Sequence, residues 1–317
     1  MKKNSTFFLK LIVGLSLMLF LFSRIEWTEF IYTIKRINPI YIYINTILFF
    51  FPGVWLSVLK WKKLLLVQNI DLPFKQLYLY YLIGTFLNNF LPSTIGGDVS
   101  RVLYLTRVTN KPAEITASII LERFTGLLAI IFLGVLSVLL NLSFVIRHPL
   151  LLYLVSLLFS IGIVFYLLLG NYKLKRHFQN LRFLIPFWKK ADELFGVINN
   201  FRNHKNVLLS ALIISIIFVL FGVFATYLFF MSIAIEVPIL ELILITSLVQ
   251  LIGILPISIN SIGLTEGSYI ILFGLIGISS VDALTVALLG RILMILISLS
   301  GGIVFIFRNQ FIQHSQL

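Results

Sequence analysis

The 317-residue chain contains no cysteine, and only 12% of its residues are charged. The first absence excludes disulfides, thiolate metal sites and cysteine nucleophiles. The four histidines, His148, His177, His204 and His314, show no His-x-x-x-His spacing, so no metal site is expected. Nor is there a Gly-x-x-x-x-Gly-Lys-Ser/Thr run, so ATP would need a partner and no cofactor is expected. Acids are scarce, 12 against 25 lysines and arginines. In a soluble protein a net charge of +13 would suggest nucleic acid. Here the basic residues gather between long apolar stretches, so they read as a topology signal and an attraction for anionic lipid head groups; no nucleic-acid partner is expected.

What is abundant is apolar. Hydrophobic residues make up 59% of the chain and the mean hydropathy is +1.04, well above the roughly 45 to 50% apolar share of soluble domains. Several stretches exceed the 18 or so apolar residues needed to cross a bilayer. The fold class is therefore all-α, a polytopic membrane protein forming a single membrane domain over 1–317. Met1-Lys-Lys followed by Phe7 to Phe22 resembles a signal peptide, but Ser23-Arg24-Ile25-Glu26-Trp27 offers no small-x-small cleavage site, so an uncleaved first span is expected.

About six full transmembrane helices are expected, at 5–23, 39–59, 114–140, 149–170, 207–235 and 283–307. Two further apolar regions, 77–95 and 239–279, are interrupted. If 77–95 dips in and returns, the basic stretches 60–76, 101–111 and 171–206 share one face, where the positive-inside rule wants them. A full crossing would put a basic region outside. The expectation is two re-entrant helical hairpins, the first entering from the cytoplasm and the second from outside. The chain then divides into a first span and loop (5–38), one inverted repeat (39–140), a span with a basic cytoplasmic loop (141–206), a second inverted repeat (207–308) and a tail (309–317), with both termini cytoplasmic in the cell membrane.

The interrupted regions carry a repeated device. The first reads Asn88-Asn-Phe-Leu-Pro92-Ser-Thr-Ile-Gly96-Gly97-Asp98-Val-Ser-Arg101 and the second Leu255-Pro256-Ile-Ser-Ile-Asn-Ser-Ile262-Gly263-Leu-Thr-Glu266-Gly267. After each comes a helix with an arginine inside it: Glu114 opens the first and leads to Arg123, and Asp282 opens the second and leads to Arg291 at the same spacing. Each arginine would lie roughly 13 Å deep in a core about 30 Å thick. That depth costs at least about 2.5 kcal/mol, so a partner or a function is expected.

Two readings of these arginines stand side by side. They clamp the hairpins through carboxylates and carbonyls, or their planar forks meet an anionic head group. Glu122 stands beside Arg123, on a stripe with Glu114 and Ser118; for Arg291 the candidate partners are Glu266 and Asp98. Those two acids either cap the helices that follow them or take part in gripping a cation or carrying a proton. Asn88 and Asn89 are expected to satisfy the interrupted backbone. The basic loop 171–206 reads as a lipid-hugging segment, with docking of a cytosolic partner as the sharper alternative.

The two motifs together, over roughly residues 5 to 308, resemble the lysylphosphatidylglycerol synthase transmembrane, or flippase-like, family. That family includes the membrane half of bacterial aminoacyl-phosphatidylglycerol synthases, credited with moving the modified lipid across the bilayer, and many stand-alone members. The resemblance implies that Pro92, Gly96, Gly97, Asp98, Arg101, Pro256, Gly263 and Glu266 form a hairpin core lining a lipid path. Only Asn309 to Leu317 follow the last span, so synthase activity is not expected.

The function expected is translocation of a phospholipid or glycolipid with a charged head group, with no catalytic residue. Arg123 and Arg291 would hold its phosphate in turn, with Glu122 beside the path and Asp98 and Glu266 shaping the gates. The partners expected are membrane lipids; a second copy of the chain and a lipid-modifying enzyme are further candidates. The rivals are a polytopic transferase acting on a lipid-linked substrate, a scaffold for a lipid-modifying enzyme and a small-anion transporter. Glu26 and Glu29 in the loop 24–38 are too sparse an acidic set for a metal-assisted transferase.

Overall fold

In a bilayer a backbone must satisfy its own polar groups, and long Leu- and Ile-rich stretches do so as helices. The computed structural model describes residues 2–48, 52–90, 96–156, 201–255 and 257–307, and among these all regular structure is helical. In chain order the helices are α1 (Lys2–Ser23), α2 (Trp27–Lys35), α3 (Pro39–Leu48), α4 (Val54–Val67), α5 (Phe74–Phe90), α6 (Gly96–Thr109), α7 (Pro112–Leu140), α8 (Leu142–Arg147), α9 (Lys205–Ser232), α10 (Ile239–Ile254), α11 (Leu264–Gly274) and α12 (Ser280–Ile306).

Helices α7, α9 and α12, of 29, 28 and 27 residues, are each long and apolar enough to cross a membrane. They correspond to the expected spans 114–140, 207–235 and 283–307. A fourth crossing by the same measure needs Lys10–Ser23 and Trp27–Lys35 together, and these are bent by 90°. The stretch 24–38, expected as a loop, thus contains a helix, and Arg36 just after it is bound to Asp282 of α12 at 2.8 Å. Of the expected span 149–170, residues 149–156 are helical. The remainder, and the basic loop as far as residue 200, lie outside the described residues, as do Pro92 and Pro256.

The expected span 39–59 has different bounds. Its described parts are α3 as far as Leu48 and a π-helical turn at Pro52-Gly53 that leads straight into α4, and it continues to Val67. Contacts with antiparallel α9 follow it all the way. The Asn38 amide donates to the Ser232 carbonyl at 2.8 Å, and the Asn45 side chain to the Ala225 carbonyl at 2.8 Å. Lys60 Nζ donates to Ser215 Oγ at 3.1 Å, and Leu64 and Val67 pack with Phe201 and Ala211. Lys60, placed by its charge in a cytoplasmic loop, is instead buried.

Two helical hairpins flank the long helices. Helices α5 and α6 pack on each other, and at their outer end Lys111 Nζ reaches the carbonyls of Gln68 and Asn69 at 3.4 and 3.1 Å. Helices α10 and α11 do likewise, but α10 starts at the opposite end of α7, where Asn141 donates to Glu241 at 2.7 Å. The packing is reciprocal: α5 lies along α12 and α10 along α7, both among the closest helix pairs. Glycines permit it. A Cβ on Gly301 would overlap the Leu82 backbone, and one on Gly134 would touch Ser247 at 3.4 Å. One apolar core, including Trp61, Tyr80, Phe230 and Phe273, runs through α4, α5 and α9 to α11.

Candidate functional site

The first hairpin is closed by its small residues. Helix α6 starts at Gly96 and Gly97, and a Cβ on Gly97 would run into the Gly84 carbonyl of α5. Asn88 Oδ1 accepts the Gly97 N–H at 2.8 Å, so Asn88 does serve the interrupted backbone as expected. This close approach sets Asp98 and Arg101 one turn apart between α5 and α7.

Arg101 is 3% exposed and fully engaged. Its guanidinium donates to Glu122 at 2.8 Å and to Asp98 at 2.9 Å and lies over the rings of Trp61 (4.6 Å) and Tyr81 (4.7 Å). Tyr81 donates its hydroxyl to the other Glu122 oxygen at 3.2 Å. Trp61 Nε1 donates to Ser118 at 3.1 Å, so Ser118 and Glu122 of the expected stripe face one cluster. Lys60 completes it, donating to the Glu122 carbonyl and to Ser215 at 3.1 Å each. Ion–carboxylate bonds and cation–ring contacts of this kind keep charges tolerable away from water.

Arg123 pairs with Asp98, not with the adjacent Glu122. Nε and one terminal nitrogen each donate to an Asp98 oxygen at 3.1 Å, a forked contact. Consecutive residues of a helix point about 100° apart, so Glu122 and Arg123 serve different neighbours. The Arg123 side chain is 59% exposed and Asp98 15%.

The second hairpin repeats the acid–arginine pair with changed surroundings. Arg291 Nε donates to Glu266, which is fully buried. The separation is 25 residues, as it is for Asp98 and Arg123. Glu266 also accepts the Gly263 N–H at 2.7 Å, closing the start of α11. The remaining Arg291 donors face the carbonyls of Asn260 and Ser261 at 3.4 Å. Both carbonyls belong to left-handed residues, with φ of 48° and 56°. Gly263, at φ 78°, packs against Leu17 of α1, where no Cβ would fit. The hairpins meet at their tips, where Asn260 Nδ2 donates to Asn89 Oδ1 at 2.7 Å.

The structure thus brings together Asn88, Gly96, Gly97, Asp98, Arg101, Glu122 and Arg123 at one hairpin, and Gly263, Glu266 and Arg291 at the other. Sequence reasoning missed Lys60, Trp61, Tyr81 and Asn260. The signal for Lys60 was available: Val54 to Leu59 lead into it without a turn residue, and Leu64 to Val67 are apolar again.

Comparison with known proteins finds relatives along nearly the whole chain. The family described as lysylphosphatidylglycerol synthase TM region matches residues 7–301. A UPF0104 membrane protein of Pyrococcus horikoshii is 24% identical over 93% of this chain and 95% of its own length. Another, from Methanocaldococcus jannaschii, is 23% identical over 89% and 88%. A third, from Methanothermobacter thermautotrophicus, is 23% identical over 78% of each chain. No solved structure matches.

Proposed function

The chain belongs to the lysylphosphatidylglycerol synthase TM region family, and from that premise we propose that it moves a phospholipid or glycolipid with a charged head group across the bilayer. The head group would pass between the hairpins by alternating access, with Arg123 at one mouth, Arg291 at the other, and Asp98 and Glu266 closing each gate. The carrying observation is the acid–arginine pair used twice at one spacing, on hairpins whose tips touch at Asn89 and Asn260. A transporter with inverted repeats has its site near the midplane between such broken elements. Apolar helix surfaces around a charged interior suit a lipid, whose tails stay in the membrane while its head crosses.

Transfer should be measured on full-length protein in vesicles, with a head-group-labelled phospholipid and a membrane-impermeant quencher. The wild type is expected to speed transfer, and folded Arg123→Ala and Arg291→Ala proteins each to lose at least about tenfold, one charge-assisted contact at each mouth. Wild-type rates in both variants would remove the arginines from the path.

The inverted-repeat reading makes its own prediction, and the chain's lack of cysteine makes it easy to check. Arg107→Cys, at the outer end of the first hairpin, should be labelled by an impermeant maleimide in inverted vesicles only. Ser280→Cys, beyond the second hairpin, should be labelled in intact cells only. Labelling of both from one face would refute opposed hairpins.

A further inference from the structure

The two hairpins repeat one ion pair but not one charge. At the first, Lys60, Arg101 and Arg123 face Asp98 and Glu122, which leaves one positive charge uncompensated. At the second, Arg291 faces Glu266 and the pair is neutral. The extra charges have no counterparts in the repeat: Arg101 stands three residues after Asp98, whereas Tyr269 stands three after Glu266. Glu122 precedes Arg123, whereas Gly290 precedes Arg291. Tyr269 meets Thr226 at 3.4 Å, and Gly290 lies against Phe229.

Lys60 is the source of the surplus. It is 7% exposed, and its two hydrogen-bond acceptors, the Glu122 carbonyl and the Ser215 hydroxyl, are neutral. The Glu122 carboxylate is occupied by Arg101 and Tyr81. A buried cation without a carboxylate of its own is costly to fold around, and it raises the affinity of its surroundings for an anion.

Accessibility differs in the same sense. Arg123 is 59% exposed and Arg291 19%. The second hairpin is covered by α1, with Gly14 against Ile262 and Leu17 against Gly263. Beside the pair the same helices present exposed apolar residues, Val99 next to Asp98 on α6 and Ile120 one turn before Arg123 on α7. A ligand arriving there would have its charged part on the arginine and its apolar part along these side chains.

We infer that the first hairpin is the anion-binding station of the path, where a lipid phosphate replaces Asp98 on Arg123 and Lys60 supplies the charge that selects it. At the second hairpin Arg291 is held by Glu266 and by the left-handed turn at Asn260 and Ser261, so it gates the other mouth without selecting the anion. The identification of the ligand as a lipid in transit rests on the translocation reading; the charge asymmetry does not.

The test uses full-length protein in phosphatidylcholine vesicles with spin-labelled phosphatidylglycerol or phosphatidylcholine, the immobilised fraction being read by electron spin resonance. The wild type should prefer phosphatidylglycerol by about tenfold, the size of one unscreened charge near the site. Lys60→Gln, which keeps a donor, should erase that preference, and Lys60→Arg should retain it. Arg123→Gln, a change at an exposed side chain, should erase it too and decides the matter should Lys60→Gln fail to fold. Arg291→Gln should slow transfer yet keep the preference.

Retention of the preference in folded Lys60→Gln or Arg123→Gln protein, or its loss in Arg291→Gln, would overturn the inference. So would displacement of the lipid by inorganic phosphate as complete as by unlabelled phosphatidylglycerol, which would make the ligand a soluble anion. A wild type that binds phosphatidylglycerol selectively but transfers nothing would sink translocation and leave the anion station standing. Transfer without lipid preference would do the reverse.

Discussion

Glu122→Ala is expected to destabilise the protein by about 3 to 5 kcal/mol, the cost of breaking a buried ion pair by removing one partner. Glu122 is 5% exposed and holds Arg101, itself 3% exposed, at 2.8 Å, while accepting from Tyr81 at 3.2 Å. Without it, Arg101 keeps a single carboxylate, Asp98, which Arg123 also engages. The hydroxyl of Tyr81 loses its acceptor in the same step. Heating the purified protein and following the loss of its monodisperse peak would read the effect. Glu122→Gln, which keeps an acceptor but not the charge, should cost less.

Two controls show whether burial is the cause. Arg123→Gln breaks an ion pair of similar geometry, but its side chain is 59% exposed and Asp98 keeps Arg101 as a partner, so a smaller loss than for Glu122→Ala is expected. Replacing Glu122 and Arg101 together by Leu and Met should recover much of the loss, because neither charge of the buried pair is left without the other. Equal destabilisation by Glu122→Ala and Arg123→Gln would mean that the two carboxylates stand in similar surroundings, against the geometry.

The second large effect is steric. Gly301→Ala places a Cβ on the Leu82 backbone, 2.6 Å from the carbonyl carbon, and 3.1 Å from Phe86 Cβ. Backbone atoms cannot rotate away, so α5 and α12 must part along their contact. Overpacking commonly costs about 1 to 3 kcal/mol and more where backbone must shift, beyond the about 1 kcal/mol that alanine returns to a helix. Gly97→Ala should behave alike, since its Cβ would meet Asn88 Cγ at 2.7 Å as well as the Gly84 carbonyl. Gly274→Ala, with nothing within 4 Å, should express like the wild type. A wild-type yield of monodisperse Gly301→Ala protein would show that the two helices are not in close contact.

The helical class and the repeated motif were legible because both are written in local pattern. Proline, glycine and an acid interrupt an apolar run in either half, and hairpins are what such an interruption permits. The Glu266–Arg291 pair was legible as one of two options. Lys60 was not, because charge alone was used to end the span 39–59; a lysine can continue a membrane helix when carbonyls and hydroxyls of its neighbours receive it, as those of Glu122 and Ser215 do. The partner of Arg123 was hidden for another reason. Adjacency in sequence suggested Glu122, whereas the helical turn sends the two side chains to different neighbours and the tertiary fold brings Asp98 across from α6.

The reciprocal packing of α5 with α12 and of α7 with α10 has a bearing on how the protein is made. The two halves are interlaced, so neither can be completed while the other is still on the ribosome. The first hairpin emerges early, yet the helix that covers it is the last long one to be synthesised. Until Gly301 arrives opposite Leu82, a charged, broken element has to wait in the bilayer without its main neighbour. Chains cut within the basic stretch 171–200 should therefore regain function when the two fragments are produced together, and each fragment alone should be cleared by the quality-control proteases of the membrane.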